Sequence, residues 1–102
     1  MMKSFGDMMK QAQKVQKQMT ELQAKLADER YEGSSGGGAV KVVVDGKQML
    51  KELKISPEAL KDGDASLLED LLITAIGEAQ KTSSEKMTEA YSKLTGGFNL
   101  PF

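Results

Sequence analysis

Along the first thirty residues the apolar side chains fall at Phe5, Met8, Ala12, Val15, Met19, Leu22 and Leu26, in steps that alternate between three and four. That alternation is a heptad seam. Phe5, Ala12, Met19 and Leu26 take one core position, and Met8, Val15 and Leu22 take the other. The next seam position holds Glu29, so the pattern stops there. No Gly or Pro interrupts residues 7–32, and Gln, Lys, Ala, Met and Leu all favour helix. The spacing predicts a helix over residues 4–28. A rod of ~25 residues is about 37 Å long, whereas a compact domain of this size has a radius of gyration of ~13 Å. The rod is therefore expected to protrude from the body or to lie along another subunit. A seam of two positions in seven suits one helix against another, which predicts a homodimer.

The periodicity then changes. Residues 32–38, EGSSGGG, read as a turn or an irregular edge strand. A phosphate-binding loop is excluded, because the glycines lead into Ala39, Val40 and a strand instead of a GK[ST] sequence and a helix. Residues 39–55, AVKVVVDGKQMLKELKI, read as a hairpin. A two-residue turn at Gly46-Lys47, with Gly46 at positive φ, would pair Val44 with Met49, Val42 with Lys51 and Val40 with Leu53. The same register sets Lys41 opposite Glu52 and leaves Lys51 awkwardly on the apolar face. The small antiparallel sheet is expected over residues 30–56. Ser56-Pro57-Glu58 then supplies an N-cap, a first-position proline and a first-turn acid, opening a short helical turn over residues 57–62. Asp64 caps a second long helix, expected over residues 64–95, with Leu68, Leu71, Leu72, Ala75, Ile76 and Ala79 on its core face. Gly77 inside that helix predicts a closely packed neighbour. An apolar tail, GGFNLPF, occupies residues 96–102, and its three large apolar side chains in the last five residues predict that it docks somewhere.

Composition narrows the chemistry. The chain has 102 residues, one small domain, with no Cys and no His. Disulfides, thiolate metal sites and the commonest general base are thereby excluded. The densest polar cluster, Asp62, Asp64, Ser66, Glu69 and Asp70, starts like a calcium loop. It has Leu67 and Ile73 where such a loop needs Gly and Glu, so helix capping accounts for it better. No catalytic, cofactor-binding or metal-binding residue is expected, and no small-molecule substrate. No apolar run is long enough to cross a membrane and no signal-peptide core precedes the first helix, which together predict a cytoplasmic protein.

Charge is unevenly spread. Lys+Arg number 14 and Asp+Glu 15, for a formal net charge of −1. Within residues 1–20, however, Lys3, Lys10, Lys14 and Lys17 face Asp7 alone. With Phe5 on the seam, Lys3, Lys10 and Lys17 share the heptad position opposite the core, and Lys14 borders the same stripe. Gln11, Gln13, Gln16 and Gln18 flank it and can donate hydrogen bonds to phosphate. A solvated lysine face is one explanation, and contact with a polyanion is another. With a single arginine, no Trp and no aromatic residue among the lysines, base reading and base stacking are disfavoured. The residues therefore suit phosphate contacts on duplex DNA, with little sequence choice. A second reading is a protein-interaction scaffold or chaperone-like adaptor that grips a partner through the methionine-containing seam or the FNLPF tail. Membrane-surface binding by the first helix fits less well, because its apolar stripe is narrow.

The succession MKQAQKVQKQM, EGSSGGGAVKVVVDGK, LKISPEAL, LLEDLLITAIGEA and GGFNLPF resembles the YbaB/EbfC family of bacterial nucleoid-associated proteins over nearly the whole chain. The resemblance implies an α+β protomer with a long N-terminal helix, a three-stranded antiparallel sheet and a C-terminal helix pair. It also implies a homodimer with projecting helical arms that binds duplex DNA at the nucleoid with weak sequence preference. Carried onto this chain, the DNA contacts would be Lys3, Lys10, Lys14 and Lys17, with Gln11, Gln13 and Gln18 beside them. Gly36, Gly37, Gly38, Val40 and Val42 would be structural, in the sheet that joins the protomers. Val40, Val42, Val44, Met49 and Leu53 would form its interface. The family tail often carries an extra glycine after its proline, whereas here Pro101 leads directly to Phe102.

Overall fold

The computed structural model describes residues 4–61 and 63–94. Helix α1 spans Phe5–Asp28, strand β1 Tyr31–Ser35, β2 Val40–Val44 and β3 Leu50–Ile55, and helix α2 spans Ala65–Leu94. The three strands form one antiparallel sheet in the order β1-β2-β3. This is the expected α+β class. Single 3-10 turns at Gly36–Gly38 and Pro57–Leu60 make the connections. All three glycines of the first turn hold positive φ, which explains the run. Lys3, Asp62 and the GGFNLPF tail lie outside the described residues.

Local chemistry sets the helix ends. The Ser4 hydroxyl accepts the Asp7 N–H at 3.2 Å, and the Asp64 carboxylate accepts the Leu67 N–H at 3.1 Å. At the far end of α1 the Arg30 guanidinium donates to the carbonyls of Ala27 and Glu29 at 2.9 and 2.8 Å.

The core is a two-layer contact. Helix α2 lies across β1 and β2, burying Ala75 and Ala79 against Val40, Val42 and Val44, with Leu68, Leu71, Leu72 and Ile76 packed around them. The layers approach closely because Gly33 has no side chain: a Cβ there would sit 2.2 Å from the Ala75 carbonyl oxygen and 2.8 Å from the Ala79 nitrogen. The Ser35 hydroxyl donates to the Leu71 carbonyl at 2.6 Å across the same seam. Among the described residues the close approach expected at Gly77 is absent, since outside its own helix backbone none lies within 4 Å of a Cβ built there.

The hairpin departs from its expected register. Val40 pairs with Ile55, Lys41 with Lys54, Val42 with Leu53 and Val43 with Glu52; a bulge between Val43 and Val44 then sets Val44 against Leu50. The cause is Asp45, which is only 2 % exposed. Its carboxylate accepts the N–H groups of Lys47 and Met49 at 2.8 and 3.0 Å, and its own N–H donates to the Met49 carbonyl at 2.9 Å. The turn is therefore wound around a side chain and is longer than two residues. Positive φ falls on Gln48, at 69°, and not on Gly46. The shift keeps Leu53 on the face it was expected to occupy, because it moves the pairing by an even number. Lys51, awkward in the shorter hairpin, instead brings its Nζ to 3.8 Å from the Asp45 carboxylate.

Gly46 has a different duty. Its N–H donates to the Leu26 carbonyl at 2.7 Å, and a Cβ on it would lie 2.6 Å from that oxygen. Leu26 is the only described residue of α1 that is fully buried. The helix is thus attached to the sheet at its C-terminal end, and residues 4–21 are exposed. The protomer measures 72 × 22 × 17 Å with a radius of gyration of 19.7 Å.

Two stability outcomes follow. Gly33→Ala is expected to lower the urea midpoint by the equivalent of about 3 kcal/mol through overpacking, whereas Gly77→Ala should raise it by about 0.5–1 kcal/mol as a helix-interior glycine. Both are read at one protein concentration. For Asp45, burial pushes the carboxyl upward, but the N–H groups of Met49 and Lys47 and the charges of Lys51 and Arg30 outweigh it and hold the group below its ordinary value. Its stabilisation is therefore full above pH ~4 and lost as pH falls through the folded value. Asp45→Ala should remove about 2–3 kcal/mol at neutral pH and flatten the acid limb of a stability–pH curve.

Candidate nucleic-acid interface

On α1 the turns of the helix sort the side chains by face. Successive residues rotate by 100°, so Lys10, Lys14 and Lys17 fall within a band of about 60° and along about 10 Å of the axis. All three are exposed. The salt bridges among the described residues are Lys51–Asp45, Lys86–Glu89 and Lys93–Glu89, so none of the three stripe lysines is neutralised by a carboxylate. Asp7 and Glu21 bracket the stripe along the chain. Lys3 would extend it N-terminally but lies outside the described residues.

The glutamines divide. Gln13 lies on the lysine side, and Gln18 borders Lys14. Gln11 instead lines a shallow groove of about 510 Å³ on the opposite flank, with Met8, Ala12, Val15, Gln16 and Met19. That groove is the heptad seam itself. Phe5 is 78 % exposed and Val15 50 %. Leu22 and Leu26, at the base of the helix, are the seam members drawn toward the body.

The five residues assigned to the interface between protomers also divide. Val40, Val42 and Val44 are wholly buried under α2. Leu53, 45 % exposed, lies on β3, one of the two edge strands, with Leu50 on the same strand and Met49, 60 % exposed, just before it.

A second gathering of lysines escaped sequence reasoning because it joins two distant segments. Lys25 from α1 and Lys86 and Lys93 from α2 line one groove of about 460 Å³ with Glu29, Glu89, Leu22, Tyr31 and Leu94. The i,i+3 and i,i+4 spacing of Glu89 to its lysines was its one sequence signal. Here Lys86 and Lys93 both pair with Glu89, at 3.9 and 3.5 Å, so this groove is far less cationic than the stripe. Tyr31 donates its hydroxyl to Glu29. That hydrogen bond, burial and the nearby charges of Glu29 and Glu89 push its phenol up to about 12, so it stays neutral at physiological pH. No described cluster of three or more acidic residues is placed to hold a metal ion.

An exposed helix with one cationic face, standing on a small α+β body, offers a surface of the kind that suits a polyanion. The chain belongs to the YbaB/EbfC DNA-binding family, whose model matches residues 2–98. A nucleoid-associated protein of Clostridium kluyveri is 41 % identical over 98 residues, covering 96 % of this chain and 86 % of that one. Another nucleoid-associated protein, from Bradyrhizobium, is 44 % identical over 100 residues, covering 98 % and 94 %. The crystal structure of an uncharacterized protein from Helicobacter pylori shares the fold, with a TM-score of 0.84 at 22 % identity over 92 % of this chain and 99 % of that one. The family is defined by binding to DNA and not by a catalysed reaction. No described helix is long and apolar enough to cross a membrane.

Because the stripe lysines are exposed and take part in no described salt bridge, Lys10→Ala, Lys14→Ala and Lys17→Ala combined should leave stability within about 0.5 kcal/mol per site of the parent. Thermal unfolding followed by circular dichroism would check this.

Proposed function

We propose that this chain is a nucleoid-associated protein of the bacterial cytoplasm that binds duplex DNA as a homodimer. Its affinity comes mainly from lysine–phosphate contacts and its sequence preference is weak. The observation that carries the reading is the exposed, unneutralised stripe of Lys10, Lys14 and Lys17 on a helix that the protomer's own body leaves free. Membership of a DNA-binding family supports it, as do relatives named nucleoid-associated. Lys3 would continue the stripe. Gln13 and Gln18 can add hydrogen bonds to phosphate without repelling one another, while Gln11 would contribute from the seam side. Lysines on a rigid rod offer point charges and no planar fork for a base edge, so the contacts position the protein without reading sequence. The net charge of −1 disfavours contact elsewhere on the body and confines DNA to the helix.

The dimer reading rests on the sheet. Strand β3 has β2 on one side only, so its other edge exposes unpaired backbone groups. Exposed Leu50 and Leu53 lie on it, with exposed Met49 just before it, and such an edge is a template for pairing with another chain. A second protomer would cover it, with Val40, Val42 and Val44 as the rigid backing that holds this face flat.

The test is fluorescence anisotropy of a labelled duplex and of a scrambled duplex, titrated at several salt concentrations. Similar affinities are expected, falling with a log–log slope of about −0.9 for each of roughly three to eight phosphates neutralised. Lys10→Glu with Lys14→Glu should abolish binding while leaving the dimer's mass unchanged. Absence of binding to either duplex at low salt would overturn the reading.

A further inference from the structure

Besides Leu60, Leu67 and Ile73 around the start of α2, two apolar surfaces of the protomer stand open, and they do not overlap. One is the β3 edge with Met49, Leu50 and Leu53; the other is the α1 seam of Phe5, Met8, Val15 and Met19. They lie on elements that meet only near the base of α1. A two-fold dimer closed at the sheet would therefore display the seam twice.

We propose that the seam is a second self-association surface, through which α1 of one dimer pairs with α1 of another and joins dimers into tetramers or longer assemblies. This inference rests on the sheet-mediated dimer proposed above. A second copy of the chain is the occupant because of what flanks the seam. In a coiled coil the positions on either side of the core select the partner by charge. Here they hold Met9, Gln11, Gln16, Gln18 and Gln23, with Lys25 the one charged member, at the base of the helix beside Glu29 and Glu89. A helix with charged flanks of one sign would repel its own copy and attract an opposite one. This helix does neither. Neutral amides face one another in a self-pair without repulsion, and they offer an acidic or basic partner nothing to recognise.

The seam also has the right width. Two positions in seven, sustained from Phe5 to Leu22 over about 27 Å, bury one narrow strip and leave the rest of the helix in water. Lys10 and Lys17 lie opposite that strip, and Lys14 lies beside them. Pairing two helices through their seams therefore keeps both lysine stripes outward, on opposite sides of the pair. The paired helices would hold two duplexes at once, so the assembly links DNA segments instead of only coating one.

The experiment is sedimentation velocity of the full chain over a range of concentrations, for the parent, for Met8→Gln/Val15→Gln/Met19→Gln, and for Leu53→Glu. The seam substitutions replace exposed residues by a neutral helix former and leave every lysine in place. The parent should exceed the dimer's mass as concentration rises, and the seam variant should remain a dimer throughout. Its helicity should be retained and its affinity for one duplex should stay within about twofold of the parent. Leu53→Glu should reduce the parent assembly to dimers held by the seam alone; if that variant loses its helicity, Met49→Glu replaces it. A bead-bound duplex loaded with parent protein should capture a second, free duplex, and the seam variant should capture about tenfold less as bivalency is lost. A parent that stays dimeric, with the seam variant also dimeric and Leu53→Glu monomeric, would overturn this inference and leave the sheet dimer standing. A monomeric seam variant with Leu53→Glu unchanged would overturn both.

Discussion

The buried carboxylate of Asp45 is the constraint on which the rest of the protomer is hung. One of its oxygens, Oδ1, winds the β2–β3 turn by accepting two backbone N–H groups. Its carbonyl accepts the Ser83 hydroxyl at 2.7 Å, tying the turn to the middle of α2. The next residue, Gly46, donates to the last buried residue of α1. A charge so far from water would be strongly unfavourable if these partners were absent. With them, three segments remote in sequence meet at one point, and each is fixed by hydrogen bonds whose loss would strand a buried polar group.

From that point the two helices take opposite roles. Helix α2 is a cover: its alanines press on the valines of β2, and Gly33 lets it come close enough for Ser35 to reach the Leu71 carbonyl. Helix α1 is a display. Leu26 and the half-buried Leu22 secure its base, whereas Lys10, Lys14 and Lys17 and the seam from Phe5 to Met19 stay exposed. Sequence spent on neither core nor turn is where interaction with something else is to be sought. The molecule thus separates what makes it fold from what makes it bind.

How far this was legible from the chain depended on the range of the interaction concerned. The α+β class and the long first helix could be read because heptad spacing and valine alternation are local, repeated signals. The core face of α2 could be read for the same reason, Ala75 and Ala79 being set four apart. The hairpin register could not. A DG pair normally marks a two-residue turn, and only the buried Asp45 side chain, with Ser83 and Lys51 brought to it by the tertiary fold, lengthens it. Glycines were misassigned in the same way. Gly77 stood out within a helical pattern, yet Gly33 and Gly46 are the ones pressed against backbone, with partners 42 to 46 residues away for the first and 20 residues away for the second. For the candidate interface, the lysine face could be read by angular counting, whereas the place of Gln11 in the wall of the seam groove and the lysines gathered around Glu89 needed three dimensions.

Attachment at one end makes α1 a lever. Its pivot is the contact between Leu26 and Gly46, and Phe5 lies about 32 Å beyond it. A tilt of about 10° at the pivot carries the tip through some 5–6 Å, roughly the pitch of one helical turn. The spacing among Lys10, Lys14 and Lys17 does not change during such a swing, because hydrogen bonds inside the helix hold it. Aim and ruler are therefore separated: the turn at residues 45–46 sets where the stripe points, and the helix sets the intervals it measures. If DNA lies along this stripe as proposed, a curved or unevenly twisted duplex would be followed by adjusting an angle at the root, without rebuilding the surface that touches it.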